Sequence, residues 1–385
     1  MGNHREHFLS VLEGQHPENM PFFPDMTDWY VANRIPDGAQ RTYGPGEFIP
    51  DDDPIHKLSE TMPAKYRGMT QFDFYREFDW RFHVHIANWH TTTFTGGVCL
   101  EETVLGGRLY HRLHTPKGRL TRVDLHASDG TWTRREFYVK NLDDLQIMRY
   151  VVENARFHPA YDNVPAIRRE LGQWGQGDIV IGRSPFGKLV HEYMGFERVV
   201  YALTDNPREM QEFMKIQEQK DLELIRLATR APERLVIISD RADENLISPA
   251  QWREYCVPFY RQATEILHAA GKFVSTHLDG NFKGFFAFLN QPGFDLLDGC
   301  TSAPMFNYEV EELAAALPEG MYAFCGVPAT LFCQHLPTRV ILQFADRIMA
   351  ALKGRGILNV GDILPPNGDI EQVIALGDYV KGTWI

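Results

Sequence analysis

Short apolar runs alternate with amphipathic helical stretches along the second half of the chain. The apolar runs lie within residues 178–187, 234–243, 272–280, 294–300, 321–327 and 356–364. Between them, apolar residues recur at helical spacing, and the stretch 336–354 ends in a glycine where a helix C-cap places one. Short strands that are apolar throughout, each followed by a helix, are typical of a parallel sheet buried on both faces.

Two earlier segments extend this pattern. Residues 19–27 predict one more strand, and an eighth is expected within residues 69–95. Eight strand–helix units predict a (β/α)8 TIM barrel, preceded by an N-terminal helical extension within residues 1–14. A doubly wound open sheet is the alternative, although no GxGxxG loop follows any of these strands.

Residues 98–139 have a different pattern. Here apolar and polar residues alternate, and the runs are separated by the turn-forming pairs GG, KG and DG. This pattern predicts an antiparallel β-meander inserted in a single domain that covers residues 1–385. The insertion either caps the barrel mouth and shapes a substrate pocket, or is a structural decoration.

Composition narrows the classes of function. The 385-residue chain has a formal net charge of −12, which argues against a nucleic-acid partner because phosphate binding needs clustered Lys and Arg. No apolar stretch approaches the length of a membrane-spanning helix. The five cysteines form no CxxC pair, which indicates reduced thiols in a cytoplasmic protein.

Polar side chains collect at the ends of the apolar runs. In a TIM barrel the carboxyl ends of the strands converge on the active site. These candidates are Ser184, Asp240, Asp243, Glu244, His277, Asp279, Asp298, Cys300, Cys325 and Asp362.

His277 and Asp279 are two residues apart, so strand geometry points both side chains to one face. Together with Asp362 they form a nitrogen and oxygen ligand set suited to zinc or another divalent ion. An acid/base pair, or a structural histidine followed by an aspartate that caps a helix, are the alternatives. Cys300 and Cys325 could add thiolate ligands or be small buried hydrophobic residues.

A competing metal site comes from His83, His85 and His90. A His-x-His pair at the end of a first barrel strand, with an Asp after the last strand, is how amidohydrolases hold metal. However, Asp79, Trp80 and Arg81 precede this pair and indicate a poor strand. The sequence therefore disfavours this site.

Three motifs carry a family resemblance: "ISDRADENLISPAQWREYCVPFYRQ", "STHLDGN" and "ILNVGDILPPNGDIEQVIA". Together they resemble the uroporphyrinogen decarboxylase superfamily, and its cobalamin-dependent methyltransferase branch more than the decarboxylase itself. True decarboxylases begin with an Arg-rich segment that grips an acidic tetrapyrrole. Here no arginine lies between Met20 and Tyr30, and the segment contributes Asp25 and Asp28 instead.

The resemblance implies a zinc site. In the methyltransferase branch zinc is held by a His-x-Cys pair and a later Cys, and these positions correspond to His277, Asp279 and Asp362. Carboxylates in place of both thiolates leave the ion harder and more Lewis-acidic. We therefore expect a methoxylated methyl donor rather than a thiol acceptor.

The expected function is a corrinoid-dependent methyltransferase of the O-demethylase type, located in the cytoplasm. Its partners would be a small-molecule methyl donor or acceptor and a corrinoid protein, which must supply the cobalamin because the chain has no DxHxxG segment. The chain could also pair as a homodimer. A decarboxylase or lyase of a small carboxylated substrate, or a non-catalytic corrinoid-docking protein, are the alternatives.

Each remaining candidate receives a role in this interpretation. Asp298 or Cys300 would complete the shell of the divalent metal, expected to be zinc. Asp240, Asp243 and Glu244 would line the pocket as catalytic acid/base or orienting groups.

Overall fold

The computed structural model of the protein describes residues 4–15, 20–36, 39–44, 46–128 and 130–382. Its strands are β1 (Phe82–Ile86), β2 (His90–Phe94), β3 (Cys99–Leu105), β4 (Arg108–Thr115), β5 (Gly118–His126), β6 (Trp132–Glu136), β7 (Ala155–Pro159), β8 (Gly175–Val180), β9 (Leu235–Ile238), β10 (Phe273–His277), β11 (Leu296–Thr301), β12 (Tyr322–Val327) and β13 (Gly356–Val360).

The α-helices are α1 (His4–Leu12), α2 (Thr27–Ala32), α3 (Gln71–Glu77), α4 (Leu142–Asn154), α5 (Asn163–Leu171), α6 (Pro185–Lys188), α7 (Phe196–Asp205), α8 (Pro207–Ala228), α9 (Pro249–Gln251), α10 (Val257–Ala269), α11 (Val310–Ala316), α12 (Thr338–Ala351) and α13 (Ile370–Gly382). Short 3-10 helices cover Pro54–Lys57, Ala64–Tyr66, Lys283–Phe288 and Ala329–Cys333, and π-helical turns cover Leu189–Tyr193 and Trp252–Cys256.

The main sheet is parallel and has seven strands in the order β1-β8-β9-β10-β11-β12-β13. A single parallel bridge between Phe22 and Leu358 adds an eighth position beside β13. Pro21 and Pro24 flank Phe22 and lack the backbone N–H that a longer ladder needs. Within the described residues no ladder joins β1 to this segment. The predicted parallel α/β fold is therefore confirmed, whereas the predicted closed eight-stranded barrel is not.

Burial explains the apolar runs. Every residue of β9, β12 and β13 is buried, as expected for strands covered on both faces. Helix α12 buries Ile341, Ala345 and Ile348, which lie on one helical face and pack against the sheet. Within the described chain, no helix combines the length and apolar character needed to cross a membrane.

Helix α1 forms a floor under the curled sheet. Its Phe8 packs edge-on against Phe23 and Phe324, with ring centroids 5.1 and 6.1 Å apart, and stacks on the His83 ring at 5.3 Å. The same apolar cluster contains the first residues of β9 and β11. Phe8 therefore closes the amino-terminal end of the sheet and leaves the chemistry to the carboxyl-terminal end.

The predicted meander at residues 98–139 is confirmed as a four-stranded antiparallel sheet in the order β3-β4-β5-β6. Its edge strand β3 is exposed along its whole length, whereas β5 turns Leu120 and Val123 into the protein. A second antiparallel ribbon, β2 with β7, joins this region to helix α4. The sequence did not predict this ribbon.

Candidate active site

A cavity of about 200 Å³ lies at the carboxyl-terminal end of the parallel sheet. Its floor contains Phe23 and Phe324, which rest on the Phe8 side chain. The titratable and cationic side chains around it are Asp25, His83, His85, Arg183, Arg241, His277, Asp298 and Asp362. This is the end of the sheet where β/α barrels place their catalytic groups.

His277 is the last residue of β10 and lies opposite Asp298 of β11. Its Nδ1 is 2.9 Å from Asp298 Oδ2, and its Nε2 is 3.7 Å from Asp362 Oδ2. One ligand atom from each of His277, Asp279 and Asp362 lies within 4.8 Å of the others. The structure thus brings the three predicted metal ligands together. Asp298 lies behind the His277 ring, on its Nδ1 side, whereas Asp362 lies in front of it, on its Nε2 side.

The ring of His277 fits closely against Gly299. This glycine has a φ of +75°, and a Cβ added there would lie 2.7 Å from His277 Cε1. Both the backbone conformation and the close approach therefore require glycine. The contact with Gly299 and the hydrogen bond to Asp298 together hold the His277 ring in one orientation.

Neighbouring charges determine the protonation of this cluster. Burial alone would lower the pKa of His277, but the carboxylates of Asp362 and Asp298 raise it to about 9. Burial raises the pKa of Asp362, whereas the hydrogen bond to His277 holds the pKa of Asp298 below its usual value. Burial also raises the pKa of Asp25 to about 6. The cluster concentrates negative charge that a cation would neutralise.

A second histidine cluster lies on β1 and β8. Asp178 Oδ1 is 3.0 Å from His85 Nδ1, and Asp178 Oδ2 is 3.0 Å from His83 Nε2. The prediction that this segment is a poor strand is wrong, because residues 82–86 form β1 of the main sheet. The polar residues that argued against it precede the strand, and Asp79 takes a left-handed turn with a φ of +49°.

The environment of His85 parallels that of His277. A Cβ on Gly46, whose φ is +67°, would lie 2.2 Å from His85 Cδ2. Burial alone would lower the pKa of His85, but Asp178 raises it to about 10. The two imidazoles hold the pKa of the buried Asp178 well below its usual range. His90 does not join this cluster, because it lies on β2 and lines a different cavity.

The predicted catalytic acids are not among the residues that line the cavity, although Asp240 lies between two that are, Ser239 and Arg241. Asp240 is buried and accepts hydrogen bonds from the Ser184 backbone N–H and the Tyr260 hydroxyl. Asp243 accepts from the backbone of Asn281 at 3.2 Å. Glu244 accepts from the backbone of Gly284 at 2.6 Å and from the side chain of Asn307 at 2.5 Å. These carboxylates brace the loops that follow the strands.

The remaining polar candidates also have local roles. Cys300 is buried, its Sγ donates to Leu297 O at 3.6 Å, and it is not part of the His277 group. Burial raises the pKa of Cys300 well above its usual value and that of Cys325 to about 12, so both stay protonated thiols. Ser184 accepts from the Gly187 N–H and caps helix α6.

Sequence reasoning missed four residues of this region. Arg183 and Arg241 follow β8 and β9 and bring positive charge to the cavity, and Asn359 hydrogen-bonds the backbone of Asp25. Asp178 gave a usable signal, because it is a lone acid at the start of an apolar run. A buried carboxylate requires a partner, and the His83-x-His85 pair supplies one.

Comparison with known proteins identifies the family. The sequence profile described as uroporphyrinogen decarboxylase (URO-D) matches residues 121–383. The chain belongs to the uroporphyrinogen decarboxylase family. This confirms the resemblance that the three motifs carry. A search of curated proteins found no match.

Solved structures share the fold of this family member. A methyltransferase from Methanosarcina mazei is 12% identical in sequence, with a TM-score of 0.60, and the alignment covers 99% of each chain. A B12-independent methionine synthase from Shewanella sp. W3-18-1 is 8% identical with a TM-score of 0.44, over 95% of this chain and 97% of that one. At 12% identity, the similarity to the M. mazei methyltransferase shows a shared fold. The similarity to the methionine synthase is too low to support an inference.

Proposed function

We propose that this protein is a methyltransferase that moves a methyl group between a small methoxylated compound and a corrinoid protein, with a divalent metal ion at His277, Asp279 and Asp362. The convergence of these three ligand atoms within 4.8 Å, at the mouth of the sheet, carries the proposal. The full-length likeness in fold to the M. mazei methyltransferase supports methyl transfer. The family membership supports an enzyme on this scaffold.

The residues fit a divalent ion. Asp298 accepts from His277 Nδ1, which leaves Nε2 towards Asp362, and a carboxylate behind a ligating histidine is the usual support of a metal site. One imidazole and two carboxylates form a hard donor set that zinc accepts. Within the described chain, the only cation paired with these carboxylates besides His277 is the exposed Arg241, which lies 3.6 Å from Asp279. A cation would therefore relieve repulsion between the acids.

A bound divalent ion would act as a Lewis acid towards the ether oxygen of the substrate. His277, oriented by Asp298, and the carboxylates of Asp279 and Asp362 would hold it. Arg183 and Arg241 at the cavity wall favour a substrate that also carries an anionic group, such as a carboxylate. The volume of about 200 Å³ restricts the substrate to a small molecule.

His85 is the proton donor in this proposal. When the carbon–oxygen bond breaks, the methyl group leaves without the bonding electrons, and the oxygen keeps the electron pair and needs a proton. Protonated His85 lines the cavity and can supply that proton, while Asp178 holds the ring through Nδ1. The methyl acceptor comes with the corrinoid protein, since this chain has no DxHxxG segment of its own.

The test combines metal analysis with methyl transfer. We expect purified protein to hold one zinc ion per chain and to produce methyl-Co(III) on a corrinoid protein with at least one compound from a methoxylated panel. His277→Ala should abolish both. His268→Ala is the matched control, because His268 also pairs with an aspartate, Asp295 at 2.8 Å, but lies outside the cavity.

Two results would reject the proposal. One is wild-type protein that binds no metal after zinc is added, and the other is a His277→Ala variant that transfers methyl at the wild-type rate. A decarboxylase of a small carboxylated substrate is the second candidate, because the His85–Asp178 pair could serve proton transfer without metal. Release of carbon dioxide that is insensitive to chelators would favour it.

A further inference from the structure

A second cavity, of about 320 Å³, lies between the inserted sheet and helices α4 and α8. Its wall is mostly apolar and includes Leu113 and Tyr138 from the insertion, Met148 and Val152 from α4, and Phe94 from β2. All but Phe94 are buried. The methyl-transfer site described above uses none of these residues.

The polar end of this cavity has an unsatisfied carboxylate. Asp221 on α8 is only 1% exposed, and its Oδ1 accepts from Lys188 Nζ at 2.5 Å and from Gln217 Nε2 at 2.8 Å. Its Oδ2 has no hydrogen-bond partner within the described part of the chain, and neither does the buried Nδ1 of His90. A buried acceptor without a donor is costly, and such atoms in native proteins call for a partner.

The charges at the polar end of the second cavity determine which kind of ligand can bind there. Lys188 already neutralises Asp221, and burial raises the pKa of Asp221 to about 6. Burial and the charge of Lys188 lower the pKa of His90, which keeps its imidazole neutral. An anionic oxygen has no proton to donate to Oδ2, whereas a neutral hydroxyl can donate to it without adding charge.

We propose that this second cavity binds a small aromatic molecule with a single hydroxyl group, a phenol, whose hydroxyl donates to Asp221 Oδ2. Phe94, Phe157 and Tyr138 line the cavity and suit an aromatic ring. The volume lies at the lower end of the range for small-molecule pockets. The inserted sheet thereby has a binding function of its own.

The second cavity is a neighbour of the catalytic cavity. Arg183 lines the catalytic cavity, Glu192 lines the second one, and Arg183 Nη1 is 3.3 Å from Glu192 Oε1. This ion pair forms part of the wall between them. Binding in the second cavity requires neither the metal nor methyl transfer, so it can be tested separately.

The experiment uses phenol as the probe and toluene as the analogue without a donor. Full-length protein labelled with [methyl-13C]methionine reports on the cavity through Met148, whose signal is assigned with Met148→Leu. We expect phenol to shift this signal saturably and to bind about tenfold more tightly than toluene, because only phenol satisfies Asp221.

Variants localise the effect. Val152→Phe should fill the cavity and abolish the shift. Asp221→Asn should remove most of the preference for phenol over toluene while leaving toluene binding unchanged. His277→Ala should bind phenol like the wild type, which excludes binding in the catalytic cavity.

Three outcomes would overturn the proposal. The first is no saturable shift of Met148, which would mean that the cavity holds only water. The second is equal affinity for phenol and toluene in the wild type. The third is wild-type phenol binding by a folded Val152→Phe variant, with Leu113→Phe as a second filling variant if Val152→Phe does not fold.

Discussion

Two histidines in the candidate active site, His277 and His85, are held in the same way. Each lies on a strand of the main sheet opposite an aspartate of the neighbouring strand, Asp298 for His277 and Asp178 for His85. The Nδ1 atoms lie 2.9 and 3.0 Å from these carboxylates. Each ring also packs against a glycine in the left-handed conformation. The same local construction thus fixes both rings.

The two histidines differ in what lies in front of the ring. His277 has Asp279 and Asp362 within reach of the same point, whereas the group around His85 gains His83 and, within the described residues, no second carboxylate. Two acids at the first ring attract a cation. Behind the second ring the buried Asp178, with smaller contributions from Asp298 and Asp25, stabilises a proton on His85. In the proposed function, the groups near Nε2 would therefore decide the chemistry of each ring, although the carboxylate at Nδ1 is a shared feature.

The sharpest test of this difference is His85→Gln. We expect methyl transfer to fall about 10²- to 10⁴-fold, as for loss of a general acid, while zinc content stays at the wild-type level. Transfer rates and metal analysis of the same preparation check this. Loss of zinc together with activity would show instead that His85 holds the metal, and the two histidines would then have one function.

Asp298→Asn separates the two supporting carboxylates. We expect zinc affinity to weaken about 10- to 100-fold, because the asparagine no longer orients His277 as a carboxylate does. The matched variant Asp178→Asn should leave zinc affinity within about twofold of the wild type. Competition with a chelator measures both. Equal losses in the two variants would contradict the separation of metal and proton sites.

The pH dependence of zinc binding is the smallest expected effect when it is counted per pH unit. Metal-free His277 has a raised pKa of about 9, so zinc must displace its proton at neutral pH. Affinity should therefore rise with pH, by at most about tenfold per unit from this proton, and level off near pH 9. In Asp298→Asn the levelling should occur at lower pH. Affinity that does not change between about pH 6 and 8 would be inconsistent with this account.

Apolar pattern alone predicted most of the fold. The run 356–364 became β13, and the turn signals within residues 98–139 became a four-stranded sheet. Whether the barrel closes could not be predicted this way. The apolar character of residues 19–27 does not show how many backbone hydrogen bonds this segment makes to the neighbouring strands. Pro21 and Pro24 limit that segment to a bridge at Phe22.

The candidate site was predictable only in part. His277, Asp279 and Asp362 followed from strand ends that converge, and the structure brings them together. The His85–Asp178 contact joins residues far apart in sequence, and nothing in the sequence reveals that β1 pairs with β8. The rule of strand ends also selected Asp243, which accepts a hydrogen bond from the loop at Asn281, and its catalytic role stays a prediction.

The floor that Phe8 makes has a kinetic consequence. With the lower end of the sheet filled by Phe8, Phe23 and Phe324, the proposed methyl donor and corrinoid protein would both have to use the upper opening. A docked protein would cover the route by which a small molecule enters. Turnover on this scaffold would then follow a compulsory order, with the small substrate first, and excess corrinoid protein would slow the reaction by trapping the empty enzyme.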